Sequence, residues 1–270
     1  MKIVVCVKQI QNPEIAQSVF RVDEEAKRVI PVPGLPPVIS PFDEQAVEAA
    51  LRIRDAAGAD SDTEITVVTI GPKGARAVIK AALALGADNA VLLSDPAFDE
   101  SGGYATARTL AETIRAIGDV DLILAGRQAA DWDAGVVGAG IAELLGVPAI
   151  TFARAVRVAD GTVTVERVLE DGTETVEADL PAVVTISNEL GAVRYASMRE
   201  TMRAANTPTR EWAPGYWGLH VANGGRVPAR RVLERLYIPV NDIECEFIDG
   251  DTSTELAAAL ARRLREADLV

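Results

Sequence analysis

The stretch Gly126-Arg-Gln-Ala-Ala-Asp131-Trp-Asp133-Ala-Gly135-Val-Val-Gly138 joins a strand-like apolar run, Leu122 to Ala125, to a helix-like pattern that resumes after Gly138. A loop from a strand end to a helix start is where a phosphate binds. The first amide N–H groups of a helix have no intrahelical partner, and the helix dipole favours an anion beside them. This loop carries two acids and no lysine. It therefore suits an anion held by neutral amides rather than by a side-chain cation. The loop Gly71-Pro-Lys-Gly-Ala75 follows another apolar run and offers amides in the same way. Taken alone, each loop is a weak signal that ordinary tight turns share.

Other chemistries find less support. Asp131 and Asp133 have no nearby His, Cys or further acid, a thin set for a metal, so capping of the following helix is the expected role. The single His220 belongs to no triad or metal cluster, and a packing role is expected for it. Ser101-Gly-Gly-Tyr104 is only faintly similar to an ATP-pyrophosphatase loop and lacks its acidic residue and second serine. There is no P-loop lysine signature, no G-x-G-x-x-G fingerprint and no zinc motif. No catalytic groups are evident.

These loops need a scaffold, and the apolar pattern supplies one. The runs 3–7, 65–70, 90–93, 122–125 and 182–186 are nearly unbroken and rich in Val and Ile, as in strands buried on both faces. Between them the spacing predicts helices over 41–57, 74–85, 103–117 and 137–145, closed by Gly58, Gly86, Gly118 and Gly146. Ser40 is expected to cap the first of these, with Pro41 in its first turn and Asp43 and Glu44 facing its positive end. Alternating strands and helices imply an α/β fold with a mainly parallel, doubly wound sheet. Residues 19–30 and 156–180 alternate apolar with polar residues around turns, which predicts antiparallel ribbons at the sheet edges. A short helix near 197–205 follows, then an arm bearing Trp212, Tyr216 and Trp217 among prolines and glycines, and a last helix near 253–266. The expected division is a nucleotide-binding α/β domain over 1–208 and an arm over 209–270 that wraps a neighbour, with Trp212 and Trp217 as aromatic anchors. Ligands of open α/β sheets lie beyond the carboxyl ends of the strands, here Lys8–Pro13, Ile39–Phe42, Gly71–Gly74 and Gly126–Gly138.

Composition narrows the partners. A chain of 270 residues, nearly half of them apolar, can bury a large core. Its net charge of −13 argues against nucleic acid and anionic lipid surfaces. Cys6 and Cys245, far apart in strand-like runs, make a disulfide framework unexpected. With no signal-peptide pattern after Met1 and no run approaching about 20 apolar residues, a cytoplasmic protein that does not span a membrane is expected.

Six motifs occur in order: Val7-Lys-Gln-Ile10, then SPFDEQAVEAALRIRD (40–55), VTIGPKGARAVIKAALALGAD (68–88), GRQAADWDAGVVG (126–138), VERVLEDGTETVEADLPAVVT (165–185) and RYASMRETMRAANTP (194–208). Together they resemble the beta subunit of electron transfer flavoprotein, from Met1 to about Pro208, with an arm and C-terminal helix of similar layout. The resemblance implies an electron carrier, a heterodimer whose alpha subunit holds a redox-active FAD. The beta subunit shelters it and binds its own nucleotide, usually AMP but a second FAD in members that bifurcate electrons. The implied pocket is lined by Cys6, Val7, Ser40, Phe42, Ile70, Gly71 and Gly126, then by the span Asp131 to Gly138 with Asp133, Gly135, Val136 and Val137. Redox partners of the family include acyl-CoA dehydrogenases, quinone reductases and ferredoxin. A Leu that anchors into acyl-CoA dehydrogenases stands at the position of Met198, with Arg199 and Arg203 supplying nearby charge.

The chain also departs from the family. AMP-type members have Asp-Cys-Asn-Gln-Thr-Gly where this chain has Asp133, Ala134, Gly135, Val136, Val137 and Gly138. The FAD-type pattern G-R-Q-A-x-D-x-D-x-x-x-V-G is met at Gly126, Arg127, Gln128, Asp131, Asp133, Val137 and Gly138. FAD is therefore the favoured ligand, with AMP as the alternative. Ser40 replaces the family's usual Asn, and Val168 stands where many members place an acid after Arg167. An adenine-nucleotide-dependent ligase or sensor is the rival from another class. It requires an activating lysine or a triphosphate loop, and the chain has neither.

Overall fold

The computed structural model describes residues 1–58, 61–98, 102–213, 229–240 and 245–270. Its strands are β1 (Lys2–Cys6), β2 (Gln9–Ile10), β3 (Val22–Asp23), β4 (Arg28–Val29), β5 (Val38–Ile39), β6 (Glu64–Ile70) and β7 (Asn89–Leu93). Then come β8 (Leu122–Gly126), β9 (Ala149–Ala159), β10 (Thr162–Leu169), β11 (Gly172–Asp179), β12 (Ala182–Ile186) and β13 (Arg210–Trp212). The helices are α1 (Pro41–Ala57), α2 (Arg76–Leu85), α3 (Gly102–Ile117), α4 (Val137–Leu145), α5 (Met198–Asn206) and α6 (Ser253–Glu266). Met1–Arg21 and Val29–Glu234 form one compact unit; Val22–Arg28 and Arg235–Val270 form a second.

Nine strands make one sheet in the order β11-β10-β9-β12-β8-β1-β6-β7-β13. Only β9, β10 and β11 pair antiparallel; every other neighbouring pair is parallel. The reason lies in the side chains. Val5, Val67, Leu124 and Val184 lie under α1 and α2, whereas Val4, Val68, Ile123 and Val183 lie under α3 and α4 on the opposite face. Strands apolar on both faces are stable only between two helical layers, and each such buried branched side chain stabilises the fold by roughly 1.5–3 kcal/mol. The mainly parallel, doubly wound sheet expected from the sequence is the one found.

The chain runs from β1 outward through β6 and β7, then returns through α3 to place β8 on the other side of β1. The strand order thus reverses between β1 and β8. At such a switch point the loops at the carboxyl ends diverge and leave a crevice.

Three details differ from expectation. The 156–180 ribbon does form a sheet edge, but residues 19–30 do not; β3 and β4 pair in a small sheet of their own. Residues 73–75 form a 3-10 turn before α2 begins at Arg76. The start of the arm, β13, joins the main sheet beside β7, with Arg210 opposite Val91 and Trp212 opposite Leu93.

Candidate functional site

The loop 127–136 reaches the residues that follow β1, and its acids order it. Asp131 receives both bonds of the Lys8 ammonium at 2.7 Å, and Gln128 Nε2 donates to Asp133 Oδ1 at 2.9 Å. Neither caps α4, whose N-cap is Val136 with no side-chain bond, so the expected capping role is replaced by loop ordering. Asp133 and Gly135 both take the left-handed backbone conformation, φ +47° and +62°, which lets the loop turn back into the helix. Beside them Trp132 is 56 % exposed and Val136 45 %.

The start of α4 sits directly on the sheet because Gly138 has no side chain. A Cβ there would lie 2.4 Å from Thr185 Cγ2 of β12. Gly103 of α3 makes the same allowance for Val136, where a Cβ would meet Cγ2 at 2.6 Å. Hence the first amides of α4 open at the carboxyl edge of the sheet, beside the ends of β8 and β12. Cys6 and Val7 are buried at the end of β1, and Ile70 and Gly71 continue the edge along β6, Gly71 N donating to Leu93 O at 3.0 Å.

On the α1 side, Ser40 is fully buried and occupies the N-cap, but its side chain makes no cap bond. Its Oγ has no hydrogen-bond partner. A buried hydroxyl without a partner costs about 1–3 kcal/mol, so Ser40 is a polar group suited to a ligand rather than the cap its position predicts. Phe42 packs against Gly126; a Cβ on Gly126 would lie 2.7 Å from Phe42 Cβ and 2.5 Å from Asp43 Oδ1.

Asp43 is the residue that the sequence pattern undervalued. Assigned there only to the helix dipole, it is buried, and its carboxylate accepts from Lys8 N at 2.8 Å and from Gly126 N at 3.0 Å. Burial pushes its carboxyl up to about 7 despite those bonds and the Lys8 charge. The Cys6 thiol is pushed up to about 12, first by burial and then by Asp43. It stays protonated at neutral pH and is no nucleophile. Arg127 also emerges, its guanidinium 5.0 Å from the Phe42 ring centroid and 5.8 Å from that of Phe152. Its Nη1 donates to Ser187 Oγ at 3.2 Å, and its Nε is buried without a partner. Phe152 holds φ +60°, a conformation an aromatic residue rarely adopts; no periodic signal announces it.

Among the described residues no group of three or more His, Cys, Asp and Glu is placed to hold a metal. A cavity of about 270 Å³ lined by Lys2, Glu64, Asn89 and Trp212 lies at the amino ends of the strands, away from the free helix N-termini. The carboxyl-edge crevice combines neutral N–H donors, one unpartnered hydroxyl and apolar walls. These groups suit an anion held by neutral donors at the start of α4.

A second surface lies around α5. Tyr195 is 99 % exposed, Met198 77 % and Met202 59 %, and Arg199 is exposed beside them. Arg203 does not join this surface as a free charge. It donates to Leu83 O at 2.7 Å, to Ala87 O at 3.1 Å and to Glu200, fastening α5 to the end of α2. Trp212, expected as an anchor for a neighbour, is instead 7 % exposed within this chain's own core, because β13 carries it onto the sheet. Tyr216, Trp217 and His220 lie outside the described residues.

Comparison with known proteins identifies the family. A family model described as "Electron transfer flavoprotein domain" matches residues 34–215. The chain is 36 % identical over 270 residues, all of both chains, to the "Caffeyl-CoA reductase-Etf complex subunit CarD" of Acetobacterium woodii. It is 38 % identical over 266 residues, 98 % of each chain, to the "Electron transfer flavoprotein subunit beta" of Clostridium acetobutylicum. Protein FixA of Bradyrhizobium diazoefficiens is 36 % identical over 244 residues, 87 % of this chain and 82 % of its own.

Proposed function

The chain belongs to the electron transfer flavoprotein family, and from that premise we propose that it is the nucleotide-binding beta subunit of a heterodimeric electron carrier, with FAD as its own ligand. The observation that carries the choice of FAD is the start of α4. Gly135, Val136 and Val137 offer no hydroxyl or amide side chain there. A monophosphate ends in oxygens that need several donors. A diphosphate diester needs fewer at any one point and continues onward. The amides of Val136, Val137 and Gly138 take the phosphates, Ser40 Oγ supplies a hydrogen bond, and Cys6, Val7, Ile70 and Gly71 wall the pocket. The bound flavin supplies the redox chemistry; the protein's part is to position it and exclude water.

The alpha subunit is met by the arm. In the second compact unit α6 buries no residue, and Leu256, Leu260 and Phe247 are exposed at 37 %, 48 % and 85 %. An amphipathic helix without a buried face suits an obligate partner. Redox partners such as an acyl-CoA dehydrogenase dock on Met198 and its neighbours. Likeness to a subunit of a caffeyl-CoA reductase complex supports a role beside a CoA-ester reductase. No helix among the described residues is long and apolar enough to cross a membrane.

Co-expression with the alpha subunit, denaturation and chromatographic counting of nucleotides tests the reading. Two FAD per heterodimer is the expected result. One FAD with one AMP overturns the FAD assignment, and the double substitution Gly135→Asn, Val137→Thr is expected to move the wild-type result toward AMP.

A further inference from the structure

The nucleotide site rests on a carboxylate that folding alone does not favour. A group whose folded-state pKa is raised binds more protons folded than unfolded, so between the ordinary aspartate range and about 7 its contribution to stability falls as pH rises. Above that window the fold carries a buried charge at a cost. Perturbed buried acids of this kind concentrate where a site needs them, and the geometry says what Asp43 does there.

The β1/β8 ladder runs from Ile3 opposite Leu122 to Cys6 opposite Ala125 and ends there. Just past it, Lys8 N and Gly126 N face one carboxylate, Lys8 on Oδ2 and Gly126 on Oδ1. Both oxygens are used, one for each strand end. Gly126 is the only residue type that permits this, because any Cβ would fall on Oδ1. Asp43 therefore spans the switch-point crevice and fixes its two lips to the first turn of α1. The charged and titratable groups around it are the Cys6 thiol on β1, the Lys8 ammonium, Asp131 bonded to that ammonium, Arg127 stacked on neighbouring Phe42, and Glu44 next to it on α1.

We propose that Asp43 is a positioning residue for the nucleotide: ionised, it holds the ends of β1 and β8 at the spacing the ligand requires, and protonated it releases one of them. The proposal rests on the nucleotide reading of this site. A carboxylic acid carries a proton on one oxygen, and that hydroxyl oxygen accepts the facing N–H far more weakly than a carboxylate oxygen does. One lip of the crevice is loosened, and affinity falls. The half-point lies near the pH at which the carboxyl titrates, which burial places close to neutrality.

FAD is the probe of choice, because its phosphates are diesters and do not titrate in this range, whereas a phosphomonoester such as AMP changes charge near pH 6. The heterodimer, stripped of this subunit's nucleotide while the alpha subunit keeps its FAD, is titrated with FAD from about pH 8 down to about pH 6. One hydrogen bond to an ionised acceptor corresponds to about a tenfold loss of affinity over that range. Asp43→Asn, which keeps a single acceptor oxygen, is expected to bind weakly and evenly throughout. Affinity that is constant or tightens as pH falls in the wild type overturns the proposal, and this arm needs no variant to fold. A folded Asp43→Asn with wild-type affinity and wild-type pH profile overturns it as well. Wild-type protein that binds neither FAD nor AMP at any pH instead removes the nucleotide reading, and the Asp43 proposal with it. Binding by the wild type with no difference in the variant removes the Asp43 assignment alone.

Discussion

At the carboxyl edge around β8 the backbone supplies the donors of the proposed site: helix amides at Val136 to Gly138, and glycines where no side chain fits. Around α5 it is side chains that bind: donors on α1 and α2 hold the carbonyls of residues 188–192 and of the end of α5, and Arg194 reaches back to the carboxylates of α1. Gln45 reaches Asn188 O and Gly191 O at 3.3 Å, while Arg52 donates to Leu190 O at 2.9 Å and Ala192 O at 2.7 Å. Arg194 Nε bonds Glu48 Oε2 at 2.7 Å and Nη2 bonds Asp55 Oδ2 at 2.9 Å. Lys80 holds Ala204 O, Ala205 O and Thr207 O at the far end of the helix. The two surfaces share α1, which begins at the pocket and carries the clamp further along. A site built from backbone fails when something is added, and a segment held by side chains fails when something is taken away.

Adding a methyl at the pocket is accordingly the largest expected effect. Gly126→Ala places a Cβ 2.5 Å from Asp43 Oδ1 and 2.9 Å from the Phe42 carbonyl carbon, and only a backbone shift relieves it. Overpacking of this kind costs about 1–3 kcal/mol, and the loss of Asp43's bond adds to it. The variant heterodimer is expected to unfold at lower denaturant and to retain little nucleotide. Gly135→Asn makes the contrast sharper: nothing but Arg127 O at 3.6 Å stands near that position, and Asn tolerates its φ of +62°, so stability is expected to change little. Equal damage from both substitutions breaks the distinction between a filled edge and an open loop.

What could be seen in the sequence follows the same division. Helix α4 begins and ends where the pattern placed it, because glycine at either end and a continuous apolar stretch are local signals. The strands of the central sheet are legible for the same reason; unbroken Val and Ile runs have one use in a parallel sheet. Contacts across great sequence distance leave no such trace. Asp131 meets Lys8 across 123 residues, so two acids that look like caps are half of an ion pair and the acceptor for Gln128. Strand β13 is three residues long and pairs by geometry alone, which is why Trp212 reads as an arm residue and sits in the core. Ser40 has the residue type and position of a cap, yet Pro41 and the buried turn leave its hydroxyl unbonded. Asp43 has the type and position of a dipole partner, and only the fold brings it two strand ends.

Taking a side chain from the clamp is expected to matter less and in a different place. Arg194→Ala leaves the nearly buried Glu48 with Arg52 as its remaining ion-pair partner, at a cost of about 2 kcal/mol for hydrogen bonds to a charged group. Burial pushes the Glu48 carboxyl up, but the bonds from Arg194 and Arg52 outweigh it and hold the group below the ordinary glutamate range. A depressed carboxyl contributes stability above its unfolded value and loses it as pH falls through the folded one. The gap between wild type and Arg194→Ala should therefore narrow on acidification below the ordinary glutamate range. Amide exchange should rise across 188–206 in the variant while nucleotide content holds. Loss of nucleotide would show that the clamp and the pocket are one structure rather than two.

The smallest change to the fold is expected at Met198, and it tests the proposed docking face. The side chain is 77 % exposed and α5 is held from its other side, so Met198→Ala should alter stability by less than about 0.5 kcal/mol. A flexible thioether covers a mobile partner surface well. Burying it against a partner is worth roughly 1.5 kcal/mol or more, equivalent to about tenfold in complex lifetime. Electron exchange with a reduced acyl-CoA dehydrogenase, followed by stopped-flow absorbance at limiting partner concentration, should slow by about that factor. FAD content and the denaturant midpoint should be those of the wild type. Arg203→Ala is the companion measurement, because that guanidinium holds α5 to Leu83 O and Ala87 O and leaves the Met198 side chain itself unchanged. If exchange slows in Arg203→Ala alone, the orientation of the helix matters and Met198 is not its point of contact; if neither variant slows, docking lies elsewhere on the complex.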